Sequence, residues 1–298
     1  MQRRTLSVDD KALFDRAVAS GRHELAAYAF ANVFIWQRLC RITRAEVHGC
    51  LCIFFEDASG SYLYLPPLGR TLRRETVDEL FAFLDKENPA PGASRIENVQ
   101  EDAVSLFRSW GYTVREKPGD YLYARERLVQ LQGNDFKGQR ASYNYFTKQY
   151  RSQPRAFSSG DAPACRALHE AWKKERKAHR DERVYQGMLD DSGICLEELL
   201  MHHGALEVTG QVVIVDGRLR AFTFGTRLSA DTFCIIYEVA DLSLKGLSAF
   251  IFREVCRSLS GFTYVNVMDD SGLENLRRAK ESYHPLRVVP NYIVTRDA

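Results

Sequence analysis

The sequence predicts an α/β (α+β) protein of two successive lobes, each a mixed, mostly antiparallel sheet flanked by helices. Three observations predict it. One order of elements, namely two helices, a hairpin, then strand, helix, strand, helix and strand, can be traced twice along the chain. A stretch rich in Ser, Pro and Gly, QYRSQPRAFSSGDAP at residues 149–163, separates the copies. With 298 residues and 45% hydrophobic content, the chain has material for two cores of about 150 residues each.

The first copy opens with an amphipathic helix over residues 8–21 and a second over Glu24–Leu39. HGCLCIFFED and SYLYLPPLG read as strands around the Asp57–Gly60 turn. The Thr76 to Glu79 spacing is a capping box that opens the helix TVDELFAFLDKE. ENPAPGA breaks the chain, SRIENV is a strand, QEDAVSLFRSWGY a helix closed by Gly111, and DYLYARERL a strand.

In the second copy APACRALHEAWKKERKAH and LEELLMHHGAL are helices. GQVVIVDGRLRAFTFGTRL is a hairpin turning at Asp216-Gly217. TFCIIYEVA is a strand, Leu247, Phe250, Ile251, Val255 and Leu259 mark a helix, and TYVNV is the next strand. Ser271 to Glu274 reads as another capping box, Pro285 stops that helix, and VVPNYIVTR closes the sheet. The expected division is 1–135 for the first lobe, 136–160 for an inter-lobe segment and 161–298 for the second lobe.

A formal net charge of +2 provides no long-range basic field, so contact with RNA or anionic lipid would need a local patch. No run approaches the roughly 18 apolar residues of a membrane span, and the N-terminal stretch turns acidic too early for a secretory signal. Seven cysteines without a CxxC pair read as free thiols in a reducing, cytoplasmic setting, and no metal site is expected. Walker-type, HExxH and GxSxG motifs are absent, which removes support for nucleotide hydrolysis, zinc proteolysis and α/β-hydrolase chemistry.

The element order resembles the GNAT N-acyltransferase fold in tandem. Four segments narrow the resemblance: FANVFIWQ at 30–37, DYLYARERLVQLQGNDFKGQRASYNYFTKQY at 120–150, DLSLKGLSAFIFREV at 241–255 and YVNVMDDSGLENLRRAKESYHP at 264–285. In order and spacing they resemble the phosphatidylglycerol lysyltransferase C-terminal-like family, relatives of the aminoacyl-tRNA-dependent transferases that place amino acids on lipids or peptidoglycan precursors. The resemblance implies an acyl or aminoacyl transferase with its cleft in the second lobe. Aminoacyl-tRNA would be the donor and an amine or hydroxyl of a lipid or small molecule at the membrane surface the acceptor. The alternatives are a CoA-dependent N-acetyltransferase using acyl-CoA and a non-catalytic binding module.

The donor carbonyl is expected at the loop Leu244–Ser248, with Ser243, Lys245, Gly246 and Ser248 as its contacts. CoA-using members of the fold show Arg or Gln, two residues, Gly, one residue, then Gly or Ala; this chain keeps only Gly246. Glu238, a carboxylate inside an apolar run, is the candidate base, unless it pairs with Lys245. Tyr283 matches the fold's acid tyrosine but also shares a core-spaced face with Leu273, Leu276 and Ala279. Asn266, Asp269, Arg277 and Lys280 are candidate donor contacts; for Arg277 and Lys280, with His284, a solvated basic helix face is the plain alternative. Lys137, Arg140 and Asn144, interleaved with Tyr143, Tyr145 and Phe146, would suit a tRNA acceptor end, or else simply anchor the lobes. The basic stretch Trp172–Arg183 suits an exposed helix.

Overall fold

A computed structural model describes residues 1–88, 90, 92–178 and 182–296. Part of the ENPAPGA breaker and residues 179–181 of the basic stretch Trp172–Arg183 therefore lie outside the described residues.

The chain folds as two compact units, Met1–Asp120 with Val289–Ala298, and Tyr121–Val288. In the first, β1 (Arg4–Thr5), β2 (Arg41–Val47), β3 (Cys50–Asp57) and β4 (Gly60–Leu63) pair antiparallel in sequence order, and β4 meets β5 (Arg95–Val99) in parallel at Leu63 and Ile96. Helices α1 (Lys11–Val18), α2 (Phe30–Phe34), α3 (Arg74–Glu87) and α4 (Glu101–Ser109) complete it. Its core sets Val77, Leu80, Phe81 and Leu84 of α3 against Cys52, Phe54, Leu63 and Ile96.

The second unit takes the last residues of β6 (Thr113–Ala124), then α5 (Arg125–Gln130), α6 (Lys137–Gln149), β7 (Ser152–Ala156), α7 (Ala162–Ala178) and α8 (Arg183–His202). It continues with β8 (Thr209–Val215), β9 (Arg218–Arg227), β10 (Thr232–Ala240), α9 (Leu247–Ser258), β11 (Tyr264–Asn266) and α10 (Glu274–Glu281). Its strands run in the order β6, β11, β10, β9, β8, β7. The hairpin turns at Asp216 and Gly217, both at positive φ (50° and 73°), as a two-residue primed turn requires. On one face α7 packs on β9 and β10. On the other, α9 packs on β8, β9 and β10, and α5 and α6 pack on α9.

The final strand, β12 (Arg287–Thr295), pairs with β5 of the first unit, whereas residues 122–124 of β6 pair with β11 of the second. Each repeat thus gives its closing strand to the other unit, so sequence repeat and compact unit have different ends.

Several local expectations change. The stretch Glu24–Leu39 is not one helix: a 3₁₀ turn at Ala26–Tyr28 and the short α2 are separated by Ala29 in extended conformation. Every residue from Leu25 to Ile35 is buried, which a one-sided helix cannot achieve. The interrupted backbone is answered by Asp120, which accepts from the Ala26 amide at 2.6 Å, and by Asn32, which donates to the Ala26 carbonyl. Neither expected capping box forms. Thr76 lies inside α3 with its hydroxyl on His48, and α10 starts after Leu273 because Asp269 and Asp270 hold the preceding turn. DYLYARERL continues β6 only to Ala124 and then becomes α5. None of the seven cysteines is in a disulfide, and six are buried. Among the described residues no helix is long and apolar enough to cross a membrane.

Candidate active site

In the second unit β10 and β11 pair in parallel at only three positions, Thr232 with Tyr264, Phe233 with Val265 and Cys234 with Asn266. Beyond them β11 ends, and Val267 and Met268 turn to bond the backbone of Tyr121. β10 runs on to Ala240 with β9 alone beside it. The strands therefore part after Cys234, and the edge of β10 is left open along its second half.

A register shift between Ile235 and Tyr237 decides what faces this opening. An inserted residue reverses the alternation of a strand, so Ile235, Glu238 and Ala240 share the face packed by α9. Tyr237 points the other way and donates to the Ser192 carbonyl of α8 at 2.8 Å. Glu238 is half-buried as a residue, but its Oε2 is buried without a hydrogen-bond partner. It forms no ion pair with Lys245; burial pushes its carboxyl up to about 8. The thiol of Cys256 and the phenol of Tyr283 are both raised by burial and, secondarily, by the nearby Glu238 charge. Tyr283 follows α10 and rests its ring on the edge of Phe252, with centroids 4.8 Å apart. Glu238 and Tyr283, distant in sequence, are thus brought together on one face.

The loop between β10 and α9 is built differently from the open cradle expected. Asp241 accepts from the Ser243 amide and hydroxyl at 2.9 and 2.6 Å, and pairs with Arg220 at 2.6 Å. Gly246 has φ +89°, and a Cβ there would collide with the Ser142 carbonyl and lie 3.1 Å from the Cβ of Phe146. The loop is therefore pressed onto α6. Lys245 sits 5.1 Å over the Tyr145 ring, and both it and Ser248 are exposed.

Between β11 and α10 the predicted donor contacts mostly hold their own loop. Asn266, fully buried, accepts from the Met268 amide at 2.7 Å, and Asp269 accepts from that of Ser271 at 2.7 Å. Lys280 donates to the carbonyls of Val267 (2.7 Å), Met268 (3.1 Å) and Asp269, which engages all three ammonium protons. Arg277 is exposed and tied to Asp270 at 3.1 Å. Asp270 also accepts from the Tyr121 hydroxyl, and these bonds outweigh its burial and hold its carboxyl below the usual range. On α6, Arg140 clasps the carbonyls of Leu131 and Gly133, while Lys137 and Asn144 stand exposed. Tyr143 donates to Glu254 and receives Arg257.

Two side chains escaped the sequence reading. Thr223 and Gln211, each a polar residue in an apolar strand, place unpartnered buried oxygens on the same face as Glu238. The interruption that marked Glu238 marks them too. An open cavity of about 700 Å³ lies elsewhere in this unit, between Tyr150, Arg151, Asp216 and Phe250. Among the described residues no group of three or more His, Cys, Asp or Glu side chains is placed to hold a metal ion.

Against known proteins, residues 21–295 match the family model described as phosphatidylglycerol lysyltransferase, C-terminal. No curated protein matches the sequence. A conserved protein of unknown function from Bacteroides thetaiotaomicron superposes with a TM-score of 0.88 at 23% identity, each chain covered in full. L-PGS from Bacillus licheniformis gives 0.67 at 16% identity, covering 96% of this chain and 92% of that one. A tandem GNAT protein from the clavulanic acid biosynthesis pathway gives 0.51 at 11% identity, covering 99% and 98%. These likenesses agree on a tandem GNAT-like fold.

Proposed function

The chain belongs to the phosphatidylglycerol lysyltransferase C-terminal family, and from that premise we propose that it transfers an aminoacyl group from charged tRNA to an amine or hydroxyl of a lipid or small-molecule acceptor. The cleft is the opening between β10 and β11. The observation that carries this reading is the unpartnered, buried carboxyl of Glu238 beside the Tyr283 phenol where those strands part.

In this reading Glu238 takes the proton of the attacking nitrogen or oxygen as that atom bonds to the ester carbonyl carbon. The open edge of β10 beyond Cys234 offers backbone N–H groups to the oxyanion that forms. The carbon–oxygen bond to the tRNA ribose then breaks, and Tyr283 protonates the leaving oxygen. Proton return from Glu238 to Tyr283 resets the pair, so no net charge accumulates. A carboxyl held near 8 suits a base working at neutral pH. Asn266, Asp269 and Lys280 act as positioning residues that fix the wall of the cleft, while Arg277, Lys137 and Asn144 remain available to phosphates of the tRNA end.

The test is transfer of a radiolabelled amino acid from charged tRNA to an acceptor mixture of lipids and small molecules. The wild-type chain yields labelled product and Glu238→Gln does not. Absence of any labelled product with the wild-type chain, together with a thermal shift on acetyl-CoA, would replace this reading with CoA-dependent acetyl transfer.

A further inference from the structure

Three neighbouring strands of the second unit carry one polar residue each at a matched position on the α9 face. Gln211 of β8 pairs with Thr223 of β9, and Thr223 pairs with Glu238 of β10. Antiparallel partners project to the same side of a sheet, with Cβ atoms about 5 Å apart. In each of the three a buried oxygen lacks a hydrogen-bond partner: Gln211 Oε1, Thr223 Oγ1 and Glu238 Oε2. Thr223 is 98% buried. The flanking rows on the same face are mostly apolar or small, with Val213, Ala221 and Ala240 on one side and the exposed Thr209, Gly225 and Ile235 on the other. The row is thus a line of hydrogen-bond acceptors inside an otherwise oily surface.

Leaving one such oxygen unpaired is costly, and three in a line are more so for a structure to keep without a ligand. The elements packed on this face bring no cation to Glu238. Burial alone shifts its carboxyl, and the titratable groups that sense it are the Cys256 thiol of α9 and the Tyr283 phenol after α10, both neutral at physiological pH. Three buried oxygens, one of them on a carboxyl that can ionise when a cation approaches, are matched by a group that brings several donors and one positive charge. Among common small groups, a primary ammonium supplies both, whereas an alcohol supplies one donor and no charge.

We propose that Gln211, Thr223 and Glu238 seat the primary ammonium group of the acceptor, so that the acceptor is an amine. The seat stands on the geometry of the row; only the word acceptor rests on the transferase reading above. An ammonium over Thr223 lies within reach of both flanking oxygens. On entry it displaces to solvent the proton that Glu238 carries at neutral pH, then gives one of its own to the carboxylate and becomes a free amine. The nitrogen then bonds to the ester carbonyl carbon, the carbon–oxygen bond breaks as Tyr283 gives its proton to the ribose oxygen, and a second nitrogen proton passes to Tyr283 to restore the phenol. Overall one proton per turnover passes from the ammonium to solvent.

The test compares n-butylammonium chloride with butan-1-ol by titration calorimetry on the intact chain in buffers of different ionisation enthalpy. Butylammonium is expected to bind saturably, at least tenfold more tightly than the alcohol, with proton release at pH 7. Thr223→Val, which keeps the shape of the side chain, is expected to weaken amine binding at least fivefold while leaving Tm unchanged or higher. Gln211→Leu serves the same purpose should that variant fold poorly. Equal binding of alcohol and amine, or amine binding indifferent to both variants, overturns the proposal. If the amine binds but charged tRNA yields no product, the seat stands and the transferase reading fails. If labelled product forms on alcohols alone, the transferase reading stands and the seat fails.

Discussion

Replacing Glu238 by glutamine should change how stability depends on pH. In the unfolded chain this carboxyl ionises at its ordinary value of 4.5; in the folded chain it holds its proton up to about 8. Below pH 4.5 both states are protonated and nothing is lost. As pH rises from 4.5 to 8, the unfolded state sheds a proton that the folded state keeps, so stability falls, and above 8 the loss is complete. At about 1.4 kcal/mol per tenfold change in proton affinity, the full penalty is about 5 kcal/mol. The rest of the side chain is only half-buried, and solvent screening reduces the expected value to about 2–4 kcal/mol. Half-buried His23 and buried His169, both shifted downward by desolvation, make stability rise with pH through 6.5. They are common to both proteins and cancel in the difference. Urea unfolding of wild type and Glu238→Gln at pH 5 and pH 8 reads it directly. Glutamine should gain about 2–4 kcal/mol on the wild type between those two values. Parallel pH dependences would show that Glu238 is hydrated and ordinary, and would refute the reasoning.

Three other outcomes are expected. Gly246→Ala forces a side chain into a left-handed backbone against the Ser142 carbonyl and should destabilise by about 2–4 kcal/mol in urea unfolding. Lys280→Met removes the ammonium that gathers the Val267, Met268 and Asp269 carbonyls, and should cost about 2–3 kcal/mol by the same measurement. Tyr283→Phe keeps the ring contact with Phe252, so Tm should hold while transfer from charged tRNA falls by about 10²–10⁴.

Much of the fold was legible because its signals are local. The Asp216-Gly217 turn needs two residues that tolerate positive φ, and the spacing from Leu247 to Leu259 is set by one helix buried along one side. Glu24–Leu39 misled because apolar residues on every side carry no periodicity that separates a helix from a buried, broken turn. Exchange of the closing strands left no local trace either: Tyr292 finds Val99 across almost two hundred residues. At the site, Glu238 and Tyr283 were visible as a carboxylate in an apolar strand and a tyrosine near a helix end. Their companions Thr223 and Gln211 were not, since only cross-strand register, with its shift at Ile235, makes neighbours of positions 211, 223 and 238. Lys280 looked like a phosphate contact because a sequence does not show which carbonyls lie beneath an ammonium.

The central claim is that the carboxyl at the parting of β10 and β11 accepts the proton in transfer. It is tested most directly by the pH dependence of single-turnover transfer from charged tRNA to a primary amine, for wild type and Glu238→Gln. The wild-type rate should climb with pH and level off around 8, and the variant should be slow, without that rise. A variant that transfers at the wild-type rate with the same profile would contradict the account.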